Sequence, residues 1–131
     1  MWRDRSVVVV EDDEAIREVL ARALGTELGA YTVVAPDGGE AVKWISRLQP
    51  HVVLLDLALP TLDGFEVAKR VKADPGTKDT CLIAISALTP VNEVRARALA
   101  AGCDDFVRKP FQIDELLDLV HRRLVEADSR R

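Results

Sequence analysis

Glu11, Asp12 and Asp13 follow a run of four valines, and Asp56 follows Val52-Val53-Leu54-Leu55. Ser86 follows Cys81-Leu82-Ile83-Ala84-Ile85, and Lys109-Pro110 follows Phe106-Val107-Arg108. Taken singly, each is commonplace. An acidic cluster in such a place is ordinarily a solvated loop or a helix cap, and Asp13 suits the cap. A single aspartate before a loop is ordinarily a turn former. Gathered at one edge of one sheet, the set has a specific chemistry. Three carboxylates in one cleft repel each other unless a cation balances them. Mg²⁺ takes one or two carboxylates together with water and phosphate oxygens. A carboxylate can also attack phosphorus to give an aspartyl phosphate. Phosphoryl transfer chiefly needs positioning and charge neutralisation, and a metal, an ammonium and a hydroxyl provide them.

The elements that would position this set are legible in the apolar pattern. The runs 7–10, 52–55 and 81–85 are continuously apolar, as expected of parallel strands covered on both faces. Tyr31-Thr32-Val33-Val34 is more polar and reads as an edge strand, and Phe106-Val107-Arg108 as a weak fifth strand. Between them lie amphipathic stretches. Ile16, Val19, Leu20, Ala23 and Leu24 recur at helical spacing before the stop signal Gly29. Asp37 and Glu40 form a capping-box-like start for a helix carrying Ala41, Val42 and Ile45. A third helix is expected over 64–73, with Phe65, Ala68 and Val71 inward. Thr89-Pro90 reads as a cap and first-turn proline for a fourth helix that Gly102 closes. Ile113, Leu116, Leu117, Val120 and Leu124 make the stripe of a fifth. Five strand–helix units in alternation predict a parallel α/β sheet with helices on both faces. Sites in such sheets form beyond the carboxyl ends of the strands, where strand order reverses. Four of the five strands deliver their polar residue there.

The chain's 131 residues suit one domain. Acids outnumber bases 22 to 18, and the net charge of −4 argues against direct nucleic-acid binding. Cys81 and Cys103 make no disulfide framework and read as reduced, buried thiols. No leader or membrane-length apolar run is visible, so the expected location is cytoplasmic, with no membrane partner. His51 and His121 have no ligand partners at useful spacing, Trp44 reads as partly buried packing, and Trp2 as a loose end.

The segments Val9-Val10-Glu11-Asp12-Asp13, Leu54-Leu55-Asp56-Leu57-Ala58-Leu59-Pro60, Asp63-Gly64, Ile85-Ser86-Ala87 and Lys109-Pro110-Phe111 resemble, in order and spacing, the signature of response-regulator receiver domains of two-component systems. The resemblance covers residues 6–126, leaving 127–131 as a polar tail or a truncated linker. It implies a flavodoxin-like, doubly wound three-layer sandwich with strand order 2-1-3-4-5. It implies Asp56 as phosphoacceptor and a Mg²⁺ site of Glu11, Asp12, Asp56 and the backbone carbonyl of Ala58. Asp12 would be the direct ligand and Glu11 would act mainly through water. Lys109 and the Ala87 amide would hold phosphoryl oxygens, Ser86 would be the switch hydroxyl, Phe106 the switch aromatic, and Lys109-Pro110 a cis bond. The implied donor is a sensor histidine kinase or a histidine phosphotransfer protein. The implied output is a changed surface of the fourth helix, fifth strand and fifth helix, read by a partner or output domain, with a homodimer through that surface left open. Such a domain catalyses only its own phosphorylation and dephosphorylation.

Two departures carry expectations of their own. Phe106 stands where many members have tyrosine, which removes any role for a ring hydroxyl. Ala58 and Leu88 occupy variable positions beside the acceptor, and neither side chain orients an attacking water. A phosphoryl group that is not especially short-lived is therefore expected. The enzyme alternative is an aspartyl-nucleophile phosphohydrolase similar to the haloacid dehalogenases, which place a second aspartate two residues on, where this chain has Ala58. A receiver-like interaction domain that is never phosphorylated is the other alternative, and the complete acidic and lysine set argues against it.

Overall fold

The computed structural model describes residues 4–130, with side chains described up to Ala127. Trp2 lies outside the described residues. The elements are β1 (Ser6–Val10), α1 (Glu14–Ala23), β2 (Tyr31–Ala35), α2 (Gly38–Leu48), β3 (Val52–Asp56), α3 (Gly64–Ala73), β4 (Cys81–Ser86), α4 (Val91–Ala100), β5 (Asp105–Arg108) and α5 (Ile113–Arg130). All neighbouring strands pair in parallel, in the order β2-β1-β3-β4-β5. The three continuously apolar runs are the three central strands, and every residue of β1, β3 and β4 is buried. The two more polar runs, β2 and β5, take the edges, where one flank meets solvent.

Alternate residues of each strand feed two separate cores. Val8, Val10, Val53, Leu55, Leu82 and Ala84 pack under α2, α3 and α4. Val7, Val9, Val52, Leu54, Ile83 and Ile85 pack under α1 and α5, against Leu20, Leu24, Leu116, Val120 and Leu124. The result is the three-layer α/β sandwich expected from the alternation. No helix among the described residues is long and apolar enough to cross a membrane.

Helix starts follow the acidic caps. Asp13, Asp37 and Asp63 each accept a hydrogen bond from the backbone three residues on, at 3.1, 2.8 and 2.9 Å. The stretch after α1 winds into a π-turn, Leu24–Leu28, and ends at Gly29, whose φ of 70° suits glycine. Trp44 is 38% exposed, half covered as expected.

One expectation needs correction. Thr89 does not cap the fourth helix with Pro90 in its first turn. Pro90 is itself the N-cap, extended at φ −70° and ψ 140°, and α4 has no side-chain cap. A proline ring fixes φ but not ψ, so it fits just outside the helix as readily as just inside. α5 runs on to Arg130 and buries Ala127. Ala127 lies three residues beyond Leu124 and extends the same apolar stripe.

Candidate functional site

The parallel register brings the carboxyl ends of β1, β3, β4 and β5 to one edge. Glu11 continues the β1–β2 ladder, its amide donating to the Ala35 carbonyl at 3.1 Å. The Lys109 amide continues the β4–β5 ladder by donating to the Ser86 carbonyl at 2.9 Å. Glu11, Asp12, Asp56, Ala58, Ala87 and Lys109 thus line one open cleft of about 450 Å³, joined by Asp13, Ile16 and Leu88. One carboxylate oxygen from each of Glu11, Asp12 and Asp56 lies within 4.8 Å of the others. Glu11 and Asp56 are only 3% and 5% exposed, whereas Asp12 faces solvent.

Lys109 spans the cleft. Its Nζ donates to Glu11 Oε1 at 2.8 Å and to Asp56 Oδ2 at 2.9 Å. Asp56 Oδ1 accepts from the Ala58 amide at 2.9 Å, so both oxygens of this carboxylate are held. Burial pushes the Glu11 carboxyl up from its ordinary 4.5 to about 7, with Asp56 adding to the rise and Lys109 opposing it. Burial works against the Lys109 charge, but its bonds to Glu11 and Asp56 outweigh that and raise its pKa. The cluster therefore holds more negative charge than one ammonium balances. Three hard oxygen donors this close, with a proton retained where a cation is lacking, fit Mg²⁺. Among the described residues no other group of three or more metal-ligating side chains lies this close.

Ser86 and Phe106 stand outside the cleft wall. Ser86 is 1% exposed, and its Oγ accepts from the Leu88 amide at 2.9 Å within its own loop. Phe106 is half-buried on β5 beneath the Arg95 guanidinium, 5.3 Å from the ring centroid. The Lys109–Pro110 peptide is cis, as the resemblance implies, and Thr89–Pro90 is cis as well.

Sequence reasoning missed three contributors. Arg17 on α1 donates from Nη1 to the Glu11 carbonyl at 3.1 Å and so steadies the acidic pair from behind. Its only signal was a position one turn into the helix that Asp13 caps. The Asp13 amide donates to Glu11 Oε2 at 3.4 Å. Gly64 lets α3 approach the end of β3, because a Cβ there would stand 2.6 Å from the Asp56 carbonyl oxygen and from Leu57 Cα. Cys81 and Cys103 are buried, and burial raises both thiols to about 12. Buried His51 accepts the Ser6 amide on Nδ1 at 3.1 Å, far from the cleft, at the start of β1.

Residues 7–121 match the family model described as the response regulator receiver domain. The chain is 39% identical over 128 residues to the response regulator MprA of Mycobacterium ulcerans, covering 94% of this chain and 53% of that protein. It is 32% identical to the DNA-binding dual master transcriptional regulator RpaA of Synechocystis, covering 93% and 50%. The chain thus spans about half the length of these curated relatives. A solved receiver domain, that of the Francisella response regulator 1452, superposes with a TM-score of 0.81 at 31% identity, covering 97% of this chain and 99% of that one.

Proposed function

Because this chain belongs to the response regulator receiver family, we propose that it is a phosphorylation switch whose acceptor is Asp56 and whose cofactor is Mg²⁺. The observation that carries the reading is Lys109 bonded to both Asp56 and Glu11 inside a cleft lined by three acids. Glu11, Asp12, Asp56 and the Ala58 carbonyl would hold the metal, which supplies a positive charge for phosphoryl oxygens when bound. A carboxylate oxygen of Asp56 attacks the phosphorus of a phosphohistidine, and the P–N bond breaks with its electrons returning to the imidazole. The donor is a sensor histidine kinase or a histidine phosphotransfer protein.

Lys109 then turns from the free carboxylates to the new phosphoryl oxygens, and the Ala87 amide donates to them. Ser86 exchanges its bond from the Leu88 amide for one to the phosphoryl group, which adds charge and acceptors at this spot. Phe106 follows into the space released, and the α4-β5-α5 surface changes for a partner or output domain. Acids exceed bases in this domain, so nucleic acid is not its direct partner. A homodimer through the same surface is compatible with this reading, and the expected compartment is the cytoplasm. The domain acts on no external substrate.

Incubation with Mg²⁺ and acetyl phosphate, followed by intact mass measurement, tests the reading. Wild type should gain one phosphoryl group, and Asp56→Asn should gain none. The same adduct in the variant would remove the assigned acceptor.

A further inference from the structure

α4 is held by little apolar contact. Only Val94 and Ala98 of its ten residues are buried, whereas the ten-residue α3 buries five, Phe65 among them. Neither Val94 nor Ala98 is large. Two arginines supplement this thin contact. Arg95 lies over Phe106 of β5, and the Arg97 guanidinium lies 3.9 Å from the Phe65 ring centroid on α3. No carboxylate comes within ion-pairing distance of Arg97 among the described residues, so the ring is its counterpart.

Phe65 is a fixed point. It follows Gly64, whose amide donates to the Leu57 carbonyl at 3.1 Å and which lies tight against the backbone of Asp56 and Leu57. Arg97 therefore ties α4 to the segment that leaves the acceptor strand. Beside this stack is an open groove of about 250 Å³ between Phe65, Leu88, Pro90, Val94 and Arg97. Leu88, 38% exposed, lines both this groove and the acidic cleft. The Leu88 amide donates to Ser86 Oγ, and the packing that keeps this bond is the resting one of the proposed switch.

The geometry points to Arg97 as a positioning residue: its stack on Phe65 latches α4 in the resting packing and sets the balance between resting and activated arrangements. This inference rests on Asp56 being the acceptor. When Ser86 turns toward a phosphoryl group, the Leu88 amide is released and the loop moves against the groove, where there is room for the first turn of α4. The Arg97 stack is the contact that resists this displacement. A cation–π contact at an exposed site is worth about a two- to fivefold shift in such an equilibrium, and a shift of that size redistributes populations without altering the chemistry of the cleft.

The test uses the full chain as wild type, Arg97→Gln, Arg97→Lys and Phe65→Leu, with amide NMR signals of Ala87 and Leu88 as the readout. Wild type with Mg²⁺ and beryllofluoride, a phosphoryl mimic, defines the activated position. Without either addition, Arg97→Gln should move these signals along the line toward that position, by a two- to fivefold larger activated population. Arg97→Lys keeps the cation and should stay near wild type. Arg97→Gln added to Phe65→Leu should cause no further movement. Signals of Arg97→Gln that remain at wild-type positions, or move off the line, would overturn the latch. The acetyl phosphate adduct is measured in parallel on wild type and Arg97→Gln. Adducts in both with unmoved signals sink the latch alone, whereas no adduct in wild type sinks the switch reading and the latch with it.

Discussion

Replacing Glu11 by glutamine should make the metal-free protein more stable at slightly alkaline pH, although it removes a buried charged group and one half of an ion pair. Glu11 is buried beside Asp56, and its carboxyl stands near 7 instead of 4.5. A group whose folded-state pKa is raised stabilises the fold in its protonated form. That contribution is complete below about 4.5 and is lost as pH rises through about 7. A rise of about 2.5 units corresponds to roughly 3 kcal/mol, set first by burial and then by Asp56, with Lys109 already counted against it. Wild type in a chelator should therefore lose about 2–3 kcal/mol of unfolding free energy between pH 5 and pH 8 through this group. The glutamine side chain in Glu11→Gln does not titrate, and its amide oxygen can still accept from Lys109. Urea unfolding at the two pH values, with the chelator present, measures the difference. The variant should gain on wild type as pH rises, and saturating Mg²⁺ should shrink the gain by stabilising the ionised carboxylate. A variant less stable than wild type at pH 8, or a gap unchanged between pH 5 and pH 8, would refute the electrostatic account of the cleft.

Other consequences are simpler to measure. Cys81 and Cys103, buried and raised to about 12, should not react with a thiol reagent in the native protein, and both should react in denaturant. Leu124→Ala opens the core under α5 at a fully buried position and should cost about 2–5 kcal/mol in urea unfolding. Lys109→Met removes the cation that occupies two acids, so calorimetry should find tighter Mg²⁺ binding, while the unfolding free energy in chelator should fall.

Much of the fold is legible because burial writes itself into composition. A strand covered on both faces must be apolar at every position, and Val7 to Val10 or Val52 to Leu55 allow no other reading. The edge strands announced themselves by Thr32 and Arg108. The site was legible through conjunction: no acid or lysine is telling alone, but strand alternation forces them to a common edge. What stayed hidden depends on orientation. Nothing in the identity of Ser86 tells that its hydroxyl serves the Leu88 amide. The grip of Arg17 on the Glu11 carbonyl depends on how α1 leaves its cap. Pro90 satisfies the backbone rules of two adjacent positions, and only ψ decides between them.

The most direct trial of the central claim locates the phosphoryl group on the chain. An acyl phosphate is reduced by borohydride to an alcohol, so an acceptor aspartate becomes homoserine, which a peptide mass map identifies. After treatment with acetyl phosphate and Mg²⁺, homoserine should stand at position 56 and nowhere else, and a chelator should abolish it. Homoserine at position 12 or 13, or full conversion at position 56 without divalent metal, would contradict the account.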